Sequence, residues 1–440
     1  MSLPAIFAAV LVMTAVFSVF NDRVLGLHRT IGVMLLALVF SIMLLLGIHF
    51  HWPYSEQVRA IIGDINFSET LIHGMLGALL FAGAINIDFD ELQPRLFVIT
   101  ILAICGVLIS TFVIGFLIWG FIHYIIGGSL PLVYCLTFGA LISPTDPIAV
   151  LAILRSIGVS KGLDMDVCGE SLFNDGIGFV VFAFFYTLAV NSETMSASAV
   201  SLFFFKSVGG GFILAAVCSY IAYYLTKLAV DSHVEILITL ALVFGSFEAA
   251  DLLGFSPAIT IVIVGILFGR LCHKKMRHGT KEALHEFWGV IDEVLNTMLF
   301  VMVGLLLVIV PVTSKELIIG VAAIAIVLFG RWVSVLIPVS ILQKWFFFSP
   351  RSVRILTWGG LRGGLPIAMA LTLPAGGNRD IILWMTYAVV VFSILIQGTT
   401  IGRLAGERTT PDDAYRDPRL ADNTPESKFS SKMLNKLKKS

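Results

Sequence analysis

The sequence predicts an all-α polytopic membrane protein of about thirteen transmembrane helices, two of them interrupted, in halves related as an inverted repeat. Of its 440 residues, 58% are hydrophobic and 13% charged, where soluble domains carry about 25% charge. Mean hydropathy is +0.95. The apolar residues fall in runs of bilayer-spanning length separated by polar breaks. Two of those runs, the fifth and the twelfth, hold prolines and glycines around a charged residue in mid-run.

In chain order the runs lie near 3–20, 31–48, 68–87, 96–120, 131–153, 167–190, 199–229, 234–251, 257–271, 290–310, 316–342, 353–373 and 380–402. Short loops join most of them, so residues 1–402 are expected to form one bundle with no inserted soluble domain. Residues 403–440 hold Pro, Ser and Lys with scattered apolar residues, and read as a mostly disordered tail. No basic residue precedes the first run, which argues against a cleaved signal peptide. Cys105, Cys135, Cys168, Cys218 and Cys272 stand singly in apolar runs, as small buried hydrophobes do, and suggest neither a disulfide nor a metal.

Orientation follows from the loop cations. One set of alternate loops holds Arg23, Arg29, Arg95, Arg155, Lys161, Lys227, the basic stretch 270–281, Lys344, Arg351 and Arg354. The other holds only Arg59, Lys315 and Arg379. The first set is assigned to the cytoplasm, which puts the N-terminus outside and the C-terminus inside, as an odd number of spans requires. A plasma (inner) membrane location is expected. The stretch 270–281 reads as a solvated loop, with contact to anionic lipid as the alternative. A formal net charge of zero gives no sign of a nucleic-acid partner.

The fifth run carries Ser143-Pro144-Thr145-Asp146-Pro147. Two prolines remove two backbone donors and push the residues before them out of the α region. Backbone freed in this way is tolerated at membrane depth only inside protein or along a cavity. The twelfth run carries Gly359-Gly360-Leu361-Arg362-Gly363-Gly364 and then Pro366, again an unwound segment. Runs five and twelve are seven apart, so two six-span halves with one linking helix would place them in corresponding, oppositely oriented positions. No residue-level similarity between the halves accompanies this placement. Paired broken helices mark the substrate site of secondary transporters.

The sixth run contains Glu170-Ser171-Leu172-Phe173-Asn174-Asp175. A carboxylate facing lipid at mid-span costs about 2.5–3.5 kcal/mol even on the gentler scale. On a helix Ser171 and Asp175 share one face, and Glu170 and Asn174 the next. Arg331, deep in the eleventh run, is expected to pair with Glu170. Carboxylate, hydroxyl and carbonyl oxygens suit a hard cation such as Na⁺ or Li⁺. The histidines near span ends (His28, His49, His51, His73 and His123) read as interfacial. No Walker A motif is present, which disfavours nucleotide binding and an ATP-driven pump.

A carboxylate in apolar surroundings tends to hold a proton until a cation takes its place. One aspartate can therefore carry either, but not both at once. Asp175 is the residue expected to do so, with Ser171, Asn174 and Thr145 as neutral oxygen donors within the spans. If Glu170 is held by Arg331, one exchangeable charge remains, which predicts one cation per proton. Resident cofactors and enzymatic chemistry are not expected. A cation channel is weakened by the lack of a pore-loop repeat. An intramembrane protease using Asp146 and Asp175 would leave Arg331, Ser171 and Asn174 without purpose.

These motifs, in their order along the chain, resemble the NhaP-type bacterial sodium/proton antiporters of the monovalent cation/proton antiporter-1 family, related to animal sodium/proton exchangers. The resemblance rests on Thr145-Asp146-Pro147, Glu170-Ser171 with Asn174-Asp175, Arg331, and Gly360-Leu361-Arg362-Gly363. Leu79, Phe81-Ala82-Gly83-Ala84 and the stretch from Ser256-Pro257 to Gly265 are also similar. It implies an NhaA-like antiporter fold and a homodimer in membrane lipid, with core and dimerisation subdomains interleaved. It further implies that Asp175 binds the cation with Ser171, Thr145 and Asp146, that Asn174 bridges to the broken fifth helix, and that Glu170 pairs with Arg331. Arg362 is implied to support the helix breaks, and Asn rather than Asp before Asp175 marks the electroneutral members. K⁺ in place of Na⁺ is the alternative substrate. Glu69 and His73 are the candidates for a third-span ligand that some members add. Glu248 and Asp251 match no role in the family.

Overall fold

In the computed structural model, the described residues are 3–405, apart from 64, 88, 158–160, 192–196, 230, 274–277, 311–313, 345, 347, 349 and 350. The expected tail beyond 405 and the cations Lys274, Lys275 and Arg277 fall outside them. The described residues are almost wholly helical, and their only β pairing is one isolated bridge. That is what an apolar solvent demands, because a helix satisfies its backbone groups within one segment.

A helix lies over each apolar run. They are α1 (Leu3–Phe20), α2 (Arg29–His49), α3 (Phe67–Ile85), α4 (Phe89–Ile126), the pair α5a (Leu132–Ile142) and α5b (Ile148–Ile157), and α6 (Lys161–Asn191). Next come α7 (Ser198–Leu228), α8 (Ser232–Leu253), α9 (Pro257–His273), α10 (His278–Leu305) and α11 (Ser314–Leu342). The chain closes with the pair α12a (Ser352–Trp358) and α12b (Leu365–Thr372), then α13 (Gly377–Leu404). Among the described residues, ten continuous helices are long and apolar enough to cross a membrane. The fifth and twelfth runs are each two short helices, broken at the Pro-flanked and Gly-rich segments. The tenth differs most from its expected bounds. Its helix begins at His278, because its first turns are polar and give no apolar signal.

Two groups of helices pack together. Helix α4 lies against α5a, α6 and α11, while α13 packs on α11 and α12b. These six runs bury a second apolar cluster, including Val98, Leu154, Val167, Val335 and Leu356, at their Arg155 end. In the other group α2 packs on α1 and α10, α3 on α9 and α10, and α7 on α8 and α9. The groups meet where α6 touches α3 and α9, and where α12b touches the first turns of α3. The first group joins runs four to six with runs eleven to thirteen, seven positions apart, and holds both breaks at its centre.

Candidate cation site

The two breaks cross. The Asp146 N–H donates to the Leu361 carbonyl at 2.8 Å, the antiparallel bridge of the fold. Four helix ends therefore converge, two presenting orphan carbonyls and two presenting orphan N–H groups. Each kind of end meets compensating charge. Arg362, 2% exposed, donates through Nη1 to the carbonyls of Ser143 (2.5 Å) and Pro144 (2.7 Å), which the proline break strips of helical donors. Its backbone N–H is held by Ser393 Oγ at 3.0 Å. Asp146 stands where α5b begins and against Gly363, just before α12b.

This crossing requires glycine at two points. A Cβ at Gly360 would lie 2.6 Å from Arg331 Nε, and one at Gly363 would lie 2.5 Å from Asp146 Oδ2. Both distances are well inside van der Waals contact.

Helix α6 supplies the other side of the site. Asn174 is 1% exposed. Its Oδ1 accepts the Thr145 N–H at 3.2 Å and its Nδ2 donates to Thr145 Oγ1 at 2.8 Å. Ser171 Oγ donates to the Thr145 carbonyl. One turn below, Glu170 receives both arms of Arg331, Nη1 at 2.6 Å and Nη2 at 2.9 Å. The same guanidinium also donates to the Leu356 carbonyl, from Nε at 3.2 Å and Nη2 at 3.0 Å. Arg331 thus joins α11, α6 and the end of α12a.

Asp175 is half-buried and faces a cavity of about 480 Å³. Thr145, Asp146 and Ser171 line the same cavity, while Glu170, Asn174, Arg331 and Arg362 stand behind it. At one end it passes Asn86, Glu91, Arg155 and Asp164, on the cation-rich face. Arg155 and Asp164 pair there at 2.9 Å. No cluster of three His, Cys, Asp or Glu among the described residues fits a metal ion.

Of the third-span candidates, neither lines the cavity. Glu69 is exposed and bound to the Asn66 amide at 2.6 Å, and the exposed His73 ring lies edge-on to Phe247. Glu248 and Asp251 are exposed on α8, away from the cavity. Sequence reasoning missed Asp292 and Asn296 of α10, which line the cavity with Asp146 and Asp175. Their signal was an Asp and an Asn four apart on an apolar helix. Placing that span at 290–310 left Asp292 at its edge.

The profile described as "Sodium/hydrogen exchanger, transmembrane" matches residues 7–406. The Na⁺/H⁺ antiporter NhaP of Pseudomonas aeruginosa is 40% identical over 406 residues, covering 90% of this chain and 95% of the relative. The Na⁺/H⁺ antiporter NhaH of Halobacillus aidingensis is 33% identical over 356 residues, covering 79% of this chain and 86% of that one. Among solved structures, the sodium proton antiporter MjNhaP1 of Methanocaldococcus jannaschii at pH 8 shares the fold with a TM-score of 0.73 at 18% identity, over 92% of this chain and 99% of the other. By sequence and by fold, the chain belongs to the sodium/hydrogen exchanger family.

Proposed function

We propose that the protein exchanges Na⁺ or Li⁺ for H⁺ across the membrane by alternating access, one for one. Relatives named as Na⁺/H⁺ antiporters support the reading. The observation that carries it is the division of labour around the cavity. Asp175 faces the cavity with Ser171, Thr145 and Asp146, whereas Glu170 has both its oxygens engaged by Arg331. Asp175 holds either the proton or the cation. Ser171, the Thr145 carbonyl and Asp146 supply further oxygens, and water completes the shell. Asn174 and Arg362 keep the broken helices in place, and Glu170 stays paired with Arg331. The cation count supports a cavity that opens to the cytoplasm, which fits a state that loads from inside. The carrier acts as a homodimer in the plasma membrane, with its N-terminus outside.

In proteoliposomes with an imposed pH gradient, adding Na⁺ or Li⁺ dissipates the gradient in the wild type and not in Asp175→Asn. Normal exchange by that variant would refute the site. Net current at zero voltage would refute one-for-one exchange. Activity with K⁺ alone would move the protein to the K⁺/H⁺ reading.

A further inference from the structure

Helix α10 carries a polar stripe that the exchange site does not use. His285, Asp292 and Asn296 are seven and four residues apart, so at about 100° per residue they lie within about 20° of one line along the helix. His285 Nδ1 is 2.5 Å from Asn86 Oδ1 at the cavity mouth. Deeper in, Asp292 and Asn296 share the cavity with Asp146 and Asp175.

Asn296 is 4% exposed. Its Nδ2 donates to both the carbonyl and the Oδ1 of Asp292, each at 2.9 Å. Both partners accept, so the amide nitrogen must face them and the amide oxygen must face away. That oxygen finds no hydrogen-bond donor among the described residues, although the side chain is almost wholly buried. The next carboxylate, Glu293, is paired with Arg29 on another face. Asp292 has no cationic partner among the described residues and shares the cavity with Asp146. Helix α10 belongs to one helix group, whereas Asp146, Ser171 and Asp175 belong to the other. The cavity between them thus has oxygen ligands on both walls.

We propose that Asp292 and the Asn296 amide oxygen form a second, weaker station for a monovalent cation, opposite Asp175 and on the cytoplasmic approach to it. The proposal rests on the exchange reading above. One carboxylate and one carbonyl, with water for the rest, hold a cation loosely enough to pass it to Asp175. When the group holding Asp175 turns outward, the station stays with α10. It therefore helps loading from the cytoplasm and not from outside.

The test compares Na⁺-driven exchange in inside-out and right-side-out vesicles. Asp292→Asn keeps an acceptor for Asn296 and removes the charge. It is expected to raise the half-saturating Na⁺ concentration at the cytoplasmic face by about tenfold, equivalent to ~1.4 kcal/mol. Maximal rate and the outer half-saturation should stay as in wild type, and Asp292→Glu should recover part of the loss. An unchanged cytoplasmic half-saturation, an equal shift at both faces, or a loss of rate alone would overturn the proposal. Binding of ²²Na⁺ to purified Asp175→Asn protein gives an independent reading. Weak binding should persist there and vanish on adding Asp292→Asn; no residual binding refutes the station. A wild type that exchanges no Na⁺ for H⁺ would instead refute the exchange reading, while the ²²Na⁺ result still judges the station.

Discussion

Replacing Arg331 with methionine tests how the broken twelfth helix is held. The guanidinium makes two bonds to Glu170 and two to the Leu356 carbonyl. In a continuous helix that carbonyl would accept the N–H of Gly360, but α12a ends at Trp358. Both charged side chains are 5% exposed. Methionine fills similar space, so the main loss is electrostatic. Removing one partner of such a pair costs about 3–5 kcal/mol, because the other charge stays buried alone. The orphaned carbonyl adds about 1–3 kcal/mol. The double variant Glu170→Gln with Arg331→Met removes the stranded charge and leaves only the smaller penalties of the carbonyl and a neutral amide. It should recover most of the first figure. Thermal unfolding of purified protein in detergent measures both, as a large fall in Tm for the single variant and a partial return for the double. A single variant as stable as wild type, or a double variant no better than the single, would refute the pairing argument.

Three further outcomes follow from the same geometry. If proton and cation compete for Asp175 as proposed, the half-saturating Na⁺ concentration should fall by about tenfold per unit rise in pH while the proton occupies the site, then level off; a series of exchange assays at fixed gradient checks this, and a pH-independent value contradicts competition. Asn174→Ala strands the Thr145 N–H and should cost about 1–3 kcal/mol, read as a lower Tm; an unchanged Tm would show that the bridge to α5 is dispensable. Gly363→Ala puts a methyl 2.5 Å from Asp146 Oδ2 and 3.1 Å from its Cβ, so the carboxylate must shift; the expected result is weaker Na⁺ dependence, and wild-type exchange would remove Asp146 from the site.

The residues that sequence reasoning found share one property: each is a polar or helix-breaking side chain inside an otherwise apolar run. Asp146, Glu170, Asp175, Arg331 and Arg362 stood out because lipid penalises them, and the prolines and glycines beside them mark where helical bonds are lost. Which groups satisfy those lost bonds was not legible. That Arg362 meets the Ser143 and Pro144 carbonyls, or that Arg331 meets Leu356 as well as Glu170, depends on how helices cross. Asp292 was missed for the opposite reason. Its helix starts in polar sequence, with Lys281, Glu282, His285 and Glu286 before it, so one more acid reads as part of the interface. Depth is set by where the helix begins, and the apolar signal began too late.

The charge balance of the crossing also bears on coupling. Arg331 and Glu170 cancel within one buried pair, and Arg362 and Asp146 stand against helix ends of opposite sign, each worth about half a charge. On the proposed exchange reading, Asp175 is then the charge that changes between states. With a proton or a cation bound it is neutralised, and the two loaded forms carry equal charge. The empty, ionised form carries one uncompensated negative charge, and moving it through an apolar passage costs about 2.5–3.5 kcal/mol or more. That penalty slows the empty carrier by about a hundredfold relative to the loaded forms. Tight exchange needs no further device on this account, because the unloaded site is the one least able to cross. Asp175→Asn removes the penalty together with the ligand, so the variant should move freely between states and carry neither ion nor proton.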